Sequence, residues 1–136
     1  MHVLNVLKIK ANKTLLSIII LIVLQLSGFL FYYLSMSVVN DRFIFGAIAG
    51  NSIAILLSVF LIIIFIALTI KWFNFLTLPA ILVIISALSN IIDRFIYGGV
   101  VDYFNFFDYT RFNLADVILI VGMFLYLWEA NKKLLK

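Results

Sequence analysis

The sequence predicts an all-α integral membrane protein: four transmembrane helices with a small extended or β element in the extracytoplasmic loops. Three observations predict it. Of 136 residues, 66% are hydrophobic and only 12% charged, a balance typical of membrane bundles and foreign to soluble domains. The charges fall in short breaks between long uncharged runs, and a spanning helix needs roughly 20 such residues. When four spans are drawn, lysines and arginines separate onto opposite sides. One membrane domain over residues 1–136 is expected.

Residues 1–13 carry Lys8, Lys10 and Lys13, and Thr14 to Asn40 is uncharged. The first span is placed at about 14–35. A cleaved signal peptide would have an apolar region of roughly 7–15 residues, and this run is longer. Gln25 and Ser27 are its notable polar groups at mid-depth and fit helix-packing contacts. Asn40-Asp41-Arg42 marks a water-exposed turn, and Phe43 to Ile70 is again uncharged. Gly46 and Gly50 interrupt its start. The second span is therefore placed at about 51–70, with 40–50 an irregular or short extended piece. Gly46-x-x-x-Gly50 also fits a small-residue helix contact.

Lys71, Trp72 and Asn74 form a loop with an interfacial aromatic. The third span, about 75–94, has Pro79 early enough to kink it. It ends at Asn90-Ile91-Ile92-Asp93-Arg94, and Gly98-Gly99 breaks regular structure. Val100 to Phe107 is β-branched and aromatic, which predicts a short extended segment. Val117 to Trp128 is uncharged but reaches only about 18 Å as a helix, against a hydrocarbon core of about 30 Å. The fourth span must recruit earlier residues and is placed at about 113–129. Asp116 then lies roughly one turn inside the apolar layer.

This arrangement puts all seven lysines, 8, 10, 13, 71, 132, 133 and 136, on one side and the arginines, 42, 94 and 111, on the other. The positive-inside rule makes the lysine side, with both termini, cytoplasmic.

The net charge of +4 is not gathered into a basic patch, so no nucleic acid partner is expected. Without cysteine there are no disulfides, thiolate nucleophiles or thiolate metal sites. With His2 as the one histidine, neither a Ser-His-Asp triad nor a paired-histidine zinc site can be built. No cofactor and no metal are expected, and any chemistry falls to carboxylates.

Four of the six acidic residues, Asp93, Asp102, Asp108 and Asp116, lie between Ser89 and Asp116. Ionisable groups at the edge of a hydrocarbon phase are costly, which marks a candidate site. Plainer roles exist for each. Asp116 suits the third helical position of a capping box headed by Asn113. Asp102 suits a solvated loop, Asp108 a solvated turn, and Arg94 an interfacial anchor or a partner for Asp93. Asp102 and Asp116 are too far apart in sequence to share a helix face. A loop that leaves the third span and returns to the fourth can still join them. Two neighbouring carboxylates in a low dielectric do not both ionise easily. One then acts as base toward water while the other donates a proton to a carbonyl oxygen.

Three segments of this stretch resemble the bacterial lipoprotein signal peptidases, the type II signal peptidases. Asn90-Ile91-Ile92-Asp93-Arg94 is similar to that family's Asn-x-x-Asp-Arg. Gly99-Val100-Val101-Asp102-Tyr103 is similar to its Gly-x-Val-Asp-aromatic loop, and Phe112-Asn113-Leu114-Ala115-Asp116 to its Phe-Asn-x-Ala-Asp. A fainter similarity runs from Asn40 to Gly46. The resemblance implies a multi-pass protein of the bacterial cytoplasmic membrane with both termini cytoplasmic and the site near the extracytoplasmic face. It implies Asp102 and Asp116 as the catalytic pair, Asn90, Arg94 and Asn113 ordering the site, and Asn40 near the substrate. The implied activity is an aspartic endopeptidase that removes the signal peptide of a prolipoprotein before a diacylglyceryl cysteine. Prolipoprotein and membrane lipid are the implied partners, and a monomer is expected.

The pattern departs in places. The family's first-span Asp-Gln-x-x-Lys is here Leu24-Gln25-Leu26-Ser27-Gly28. Arg42 and Phe43 replace a Gly-Ala pair, and Ser86 and Ser89 stand where glycines are usual. Substrate contacts are expected to have moved toward Arg42, leaving Leu24 and Gly28 tolerant of change. A non-enzymatic relative that binds lipidated peptides or a membrane partner is the competing reading. A transporter-like bundle is disfavoured, since spans one to three lack mid-depth acids.

Overall fold

The computed structural model describes residues 2–41, 50–72, 77–107 and 110–135, with side chains from Asn12 onward. In chain order the elements are α1 (His2–Tyr33), β1 (Val38–Asn40), α2 (Asn51–Trp72), α3 (Leu78–Tyr97), β2 (Val100–Asp102), β3 (Phe104–Phe106), β4 (Thr110–Phe112) and α4 (Leu114–Leu134). All four helices are long and apolar enough to cross a membrane, α1 through Asn12–Tyr33. The chain is a multi-pass membrane protein, an all-α bundle topped by two small antiparallel pairs.

Local chemistry moves some boundaries from where the sequence suggests them. α3 starts at Leu78, which puts Pro79 in its first turn. There the missing N–H has no helical partner to lose, so no kink results. The helix runs past Arg94 to Tyr97 and stops at Gly98, whose φ of 79° is the left-handed cap glycine favours. α4 opens at the Asn113 cap and continues through Glu129 to Leu134. The extended piece near residue 40 is β1, just before the expected 40–50 stretch. Arg42 to Gly46, and the proposed Gly46-Gly50 contact with them, lie outside the described residues, as do Asn74 and Asp108.

β1 pairs antiparallel with β2, Val38 opposite Asp102 and Asn40 opposite Val100. Gly99 permits this approach: a Cβ there would lie 2.7 Å from the Asn40 carbonyl oxygen. The single extended segment expected over 100–107 is two strands separated at Tyr103. β3 turns into β4, with Phe104 opposite Phe112.

α3 is the central helix, packed by α1, α2 and α4. Gly122 of α4 lets that helix close on α3, since a Cβ there would sit 3.0 Å from Leu82 Cβ. Small residues at such contacts let helix backbones approach in lipid. Leu24, Ile85 and Ala115 join α1, α3 and α4 in a buried cluster. α2 meets α4 at the end away from the strands. There Thr69 Oγ1 and Tyr126 Oη are hydrogen-bonded at 3.1 Å, and Phe65 packs on the Tyr126 ring.

Candidate active site

Asp116 is fixed by the start of its own helix. Asn113 is the N-cap: its Oδ1 accepts from the Asp116 N–H at 2.9 Å, and Asp116 Oδ2 accepts from the Asn113 N–H at 3.2 Å. The capping box that the sequence allowed is therefore formed. It does not exhaust the carboxylate. Asp116 Oδ1 accepts from Asn90 Nδ2 of α3 at 2.8 Å, and Asn113 Nδ2 donates to Asn90 Oδ1 at 2.9 Å. Asn90 and Asn113 thus clamp Asp116 between two helices.

Asp102 closes β2 and is 3% exposed. Its Oδ2 accepts from Asn40 Nδ2 across the β1–β2 pair at 3.0 Å. Its Oδ1 is buried without a hydrogen-bond partner among the described residues. Burial pushes its pKa up to about 7; the Asn40 bond opposes the shift and the Asp116 charge adds to it. A buried carboxyl that holds a proton near neutral pH, beside a second carboxyl, suits general acid–base chemistry.

Arg94 is buried, within electrostatic reach of both Asp102 and Asp116. Neighbours on a helix point about 100° apart, and Asp93 too lies within its electrostatic reach. Asp93 turns the other way, toward α1, where a Cβ on Gly28 would meet its Oδ2 at 3.6 Å. Its Oδ2 also receives a long 3.5 Å bond from the Val101 N–H.

These groups lie at one end of a cleft of about 1170 Å³ between α2, α3 and α4. Asn40, Asn90, Arg94, Asp102 and Asp116 all line it. Ser58, Thr110 and Arg111 also line it, and the rest of its walls are apolar, Leu61 and Phe65 on one side and Val117 and Ile120 on the other. The exposed Leu61 and Ile120 side chains mark a mouth that faces sideways. Of the six residues that the resemblance singles out, Asn113 is absent from this lining, and it acts through Asn90 and Asp116.

Residues 6–132 match the family model described as Signal peptidase (SPase) II. The chain belongs to the signal peptidase II family. Lipoprotein signal peptidases are among its relatives. That of Wolinella succinogenes is 46% identical over 55 residues, 38% of each chain. That of Halothermothrix orenii is 46% identical over 59 residues, 41% of each chain. That of Helicobacter acinonychis is 38% identical over 84 residues, 60% of this chain and 52% of the relative. These matches span from 38% to 52% of the relatives' own lengths. A bacterial membrane enzyme determined by the in meso method at 2.3 Å shares the fold, with a TM-score of 0.70 at 23% identity over 90% of this chain and 88% of that one.

In this member of the family, three supporting groups escape sequence reasoning about the site. Asn51 Nδ2, at the start of α2, donates to the Arg94 carbonyl at 2.9 Å. Its isolation as an amide after Gly50 in an apolar run was the available signal. Gln25 Nε2 donates to Ser89 Oγ at 2.9 Å and to the Ser89 carbonyl at 3.2 Å, tying α1 to α3 beside Asn90. The serine that stands for a glycine is thus the partner of the polar residue on the first span. Tyr103 is the third.

Proposed function

We propose that this chain is a membrane aspartic endopeptidase that removes the signal peptide from diacylglyceryl-modified prolipoproteins, cutting before the lipidated cysteine. The observation that carries the reading is the juxtaposition of Asp102 and Asp116 at the polar end of an apolar cleft. Family membership and the names of the relatives support it.

In this reading the pair shares one proton, held on Asp102, whose burial favours the neutral form. The ionised partner takes a proton from water as the oxygen attacks the peptide carbonyl carbon. The neutral partner gives its proton to the carbonyl oxygen. Collapse of the tetrahedral intermediate breaks the C–N bond, and the proton taken from water passes to the leaving amine. Asn90 and Asn113 hold Asp116 in place, Asn40 orients Asp102 near the substrate, and Arg94 offsets the negative charge. The apolar cleft walls receive the signal peptide and lipid chains.

Residues 1–136 act as one domain and as a monomer in the bacterial cytoplasmic membrane, with membrane lipid around them and no nucleic acid partner. Both termini face the cytoplasm and the site lies near the extracytoplasmic face, as the lysine distribution suggests. The test is processing of a diacylglyceryl prolipoprotein in detergent. Asp102→Asn and Asp116→Asn should each abolish cleavage in a folded protein, and the double variant should be no worse, because the two act as a unit. Asp108→Asn should retain most activity. Near-normal cleavage by either of the first two would sink the mechanism, and a folded wild type that never cleaves would favour the non-enzymatic binder.

A further inference from the structure

Tyr103 sits between β2 and β3, directly after Asp102. Its ring stacks on Phe31 of α1, centroids 4.2 Å apart and planes 11° from parallel. Its backbone N–H donates to the Phe112 carbonyl at 3.2 Å. Its hydroxyl oxygen accepts from the Leu114 N–H at 3.0 Å and lies 2.9 Å from Ser27 Oγ. Ser27 Oγ in turn donates to the Leu24 carbonyl at 2.8 Å. That last bond uses the serine proton, so the tyrosine must be the donor to Ser27. The bonds therefore run in one direction: Leu114 N–H to Tyr103 hydroxyl, to Ser27 hydroxyl, to Leu24 carbonyl.

The first N–H groups of a helix have no intrahelical acceptor. In α4 the capping box satisfies the Asp116 N–H and that of Asn113. The Leu114 N–H, two residues before Asp116, is satisfied by Tyr103. One residue is thus bonded covalently to Asp102 and through a hydrogen bond to the helix start that carries Asp116, with its far side anchored on α1. The Gly-x-Val-Asp-aromatic motif asks only for a ring at this position. The hydroxyl and its serine partner are features of this chain.

We propose that Tyr103 is a positioning residue that sets the spacing between Asp102 and Asp116, using Ser27 on α1 as its fixed point. The inference rests on the reading of those two carboxylates as the catalytic pair. Phenylalanine at 103 keeps the ring stack and the backbone bond and removes only the directed chain. Misplacement of reacting groups by about 1 Å can cost about 100-fold in rate, so Tyr103→Phe is expected to lower kcat by about 10- to 100-fold with KM unchanged. Ser27→Ala should lower kcat less, and Tyr103→Phe with Ser27→Ala should be no slower than Tyr103→Phe alone.

The experiment measures kcat and KM on a lipidated prolipoprotein peptide for wild type, Asp102→Asn, Tyr103→Phe, Ser27→Ala and the Tyr103→Phe/Ser27→Ala pair. Amide hydrogen exchange over residues 110–116 is followed in parallel, and faster exchange at Leu114 is expected in Tyr103→Phe. If wild type cleaves, Asp102→Asn does not, and Tyr103→Phe keeps full kcat, the inference is overturned while the catalytic pair stands. A loss that appears in KM instead of kcat overturns it as well. Full cleavage by Asp102→Asn removes the catalytic pair and this inference with it, whereas unchanged exchange at Leu114 removes the inference alone. Should Tyr103→Phe fail to fold, Ser27→Ala decides: it leaves the ring in place, and an unchanged kcat is the overturning result.

Discussion

Asp102 carries a titration that can be read outside any activity assay. Its pKa rises from 3.8 to about 7, chiefly by burial. The folded protein therefore binds a proton that the unfolded chain has released between those values. Its contribution to stability is full below pH 4 and is lost as pH rises through 7. Asp102→Asn has no such proton to lose. Thermal melts in detergent from pH 4 to 8 should show wild-type stability falling relative to the variant, and parallel curves would refute the shift. Leu24 illustrates another limit. It occupies the place of the family's first-span acid, yet it is 3% exposed against Ile85 and Ala115. Packing restricts its tolerance: Leu24→Ala should lower stability by about 2–3 kcal/mol, whereas Gly28→Ala, with only ordinary contact to Asp93, should be mild. The candidate residues were legible because charges inside an apolar chain stand out: Asp102, Asp116, Asn90, Arg94 and Asn113 all come from one polar stretch. Tyr103 and Ser27 were not legible as partners, since 76 positions separate them and nothing local announces a hydroxyl pair.

Two glycines set the spacing between elements. At Gly99 a methyl group would strike the Asn40 carbonyl at 2.7 Å, so Gly99→Ala must push β1 away from β2. The Asn40–Asp102 bond spans that pair, and the expected outcome is a severe loss of cleavage with the helices still inserted, measured by activity and by helical circular dichroism. At Gly122 the conflict is with Leu82 and the Val83 backbone. Gly122→Val should spread α3 from α4 and cost about 1–3 kcal/mol as overpacking does, read as a lower melting temperature. The four helices were legible from hydropathy alone. Their ends were less so: Pro79 starts α3 instead of bending it, and Gly98 ends it later than expected. The β1–β2 pair escaped because three-residue strands carry too little alternation to show a period. Their pairing depends on a glycine that lets distant backbones touch.

Orientation belongs to the molecule as a whole. The seven-to-three separation of lysines from arginines predicts that reporters placed after Lys136 or within 71–74 read cytoplasm and one near Asp108 reads the outside; an external signal from 71–74 would overturn the topology. Span number was legible because lipid imposes it on composition. How the spans lean on one another was not, and that leaning makes the cleft: α2 and α4 meet at Thr69 and Tyr126 and part toward Asp116. The gap between them opens into the plane of the surrounding lipid. A guest entering by that route never passes through an aqueous phase, so its arrival is a two-dimensional search. What governs encounter is the number of copies per unit area of bilayer, not per litre. Adding empty lipid to fixed amounts of enzyme and substrate in vesicles should slow turnover by thinning both over a larger surface, while adding buffer should leave it unchanged.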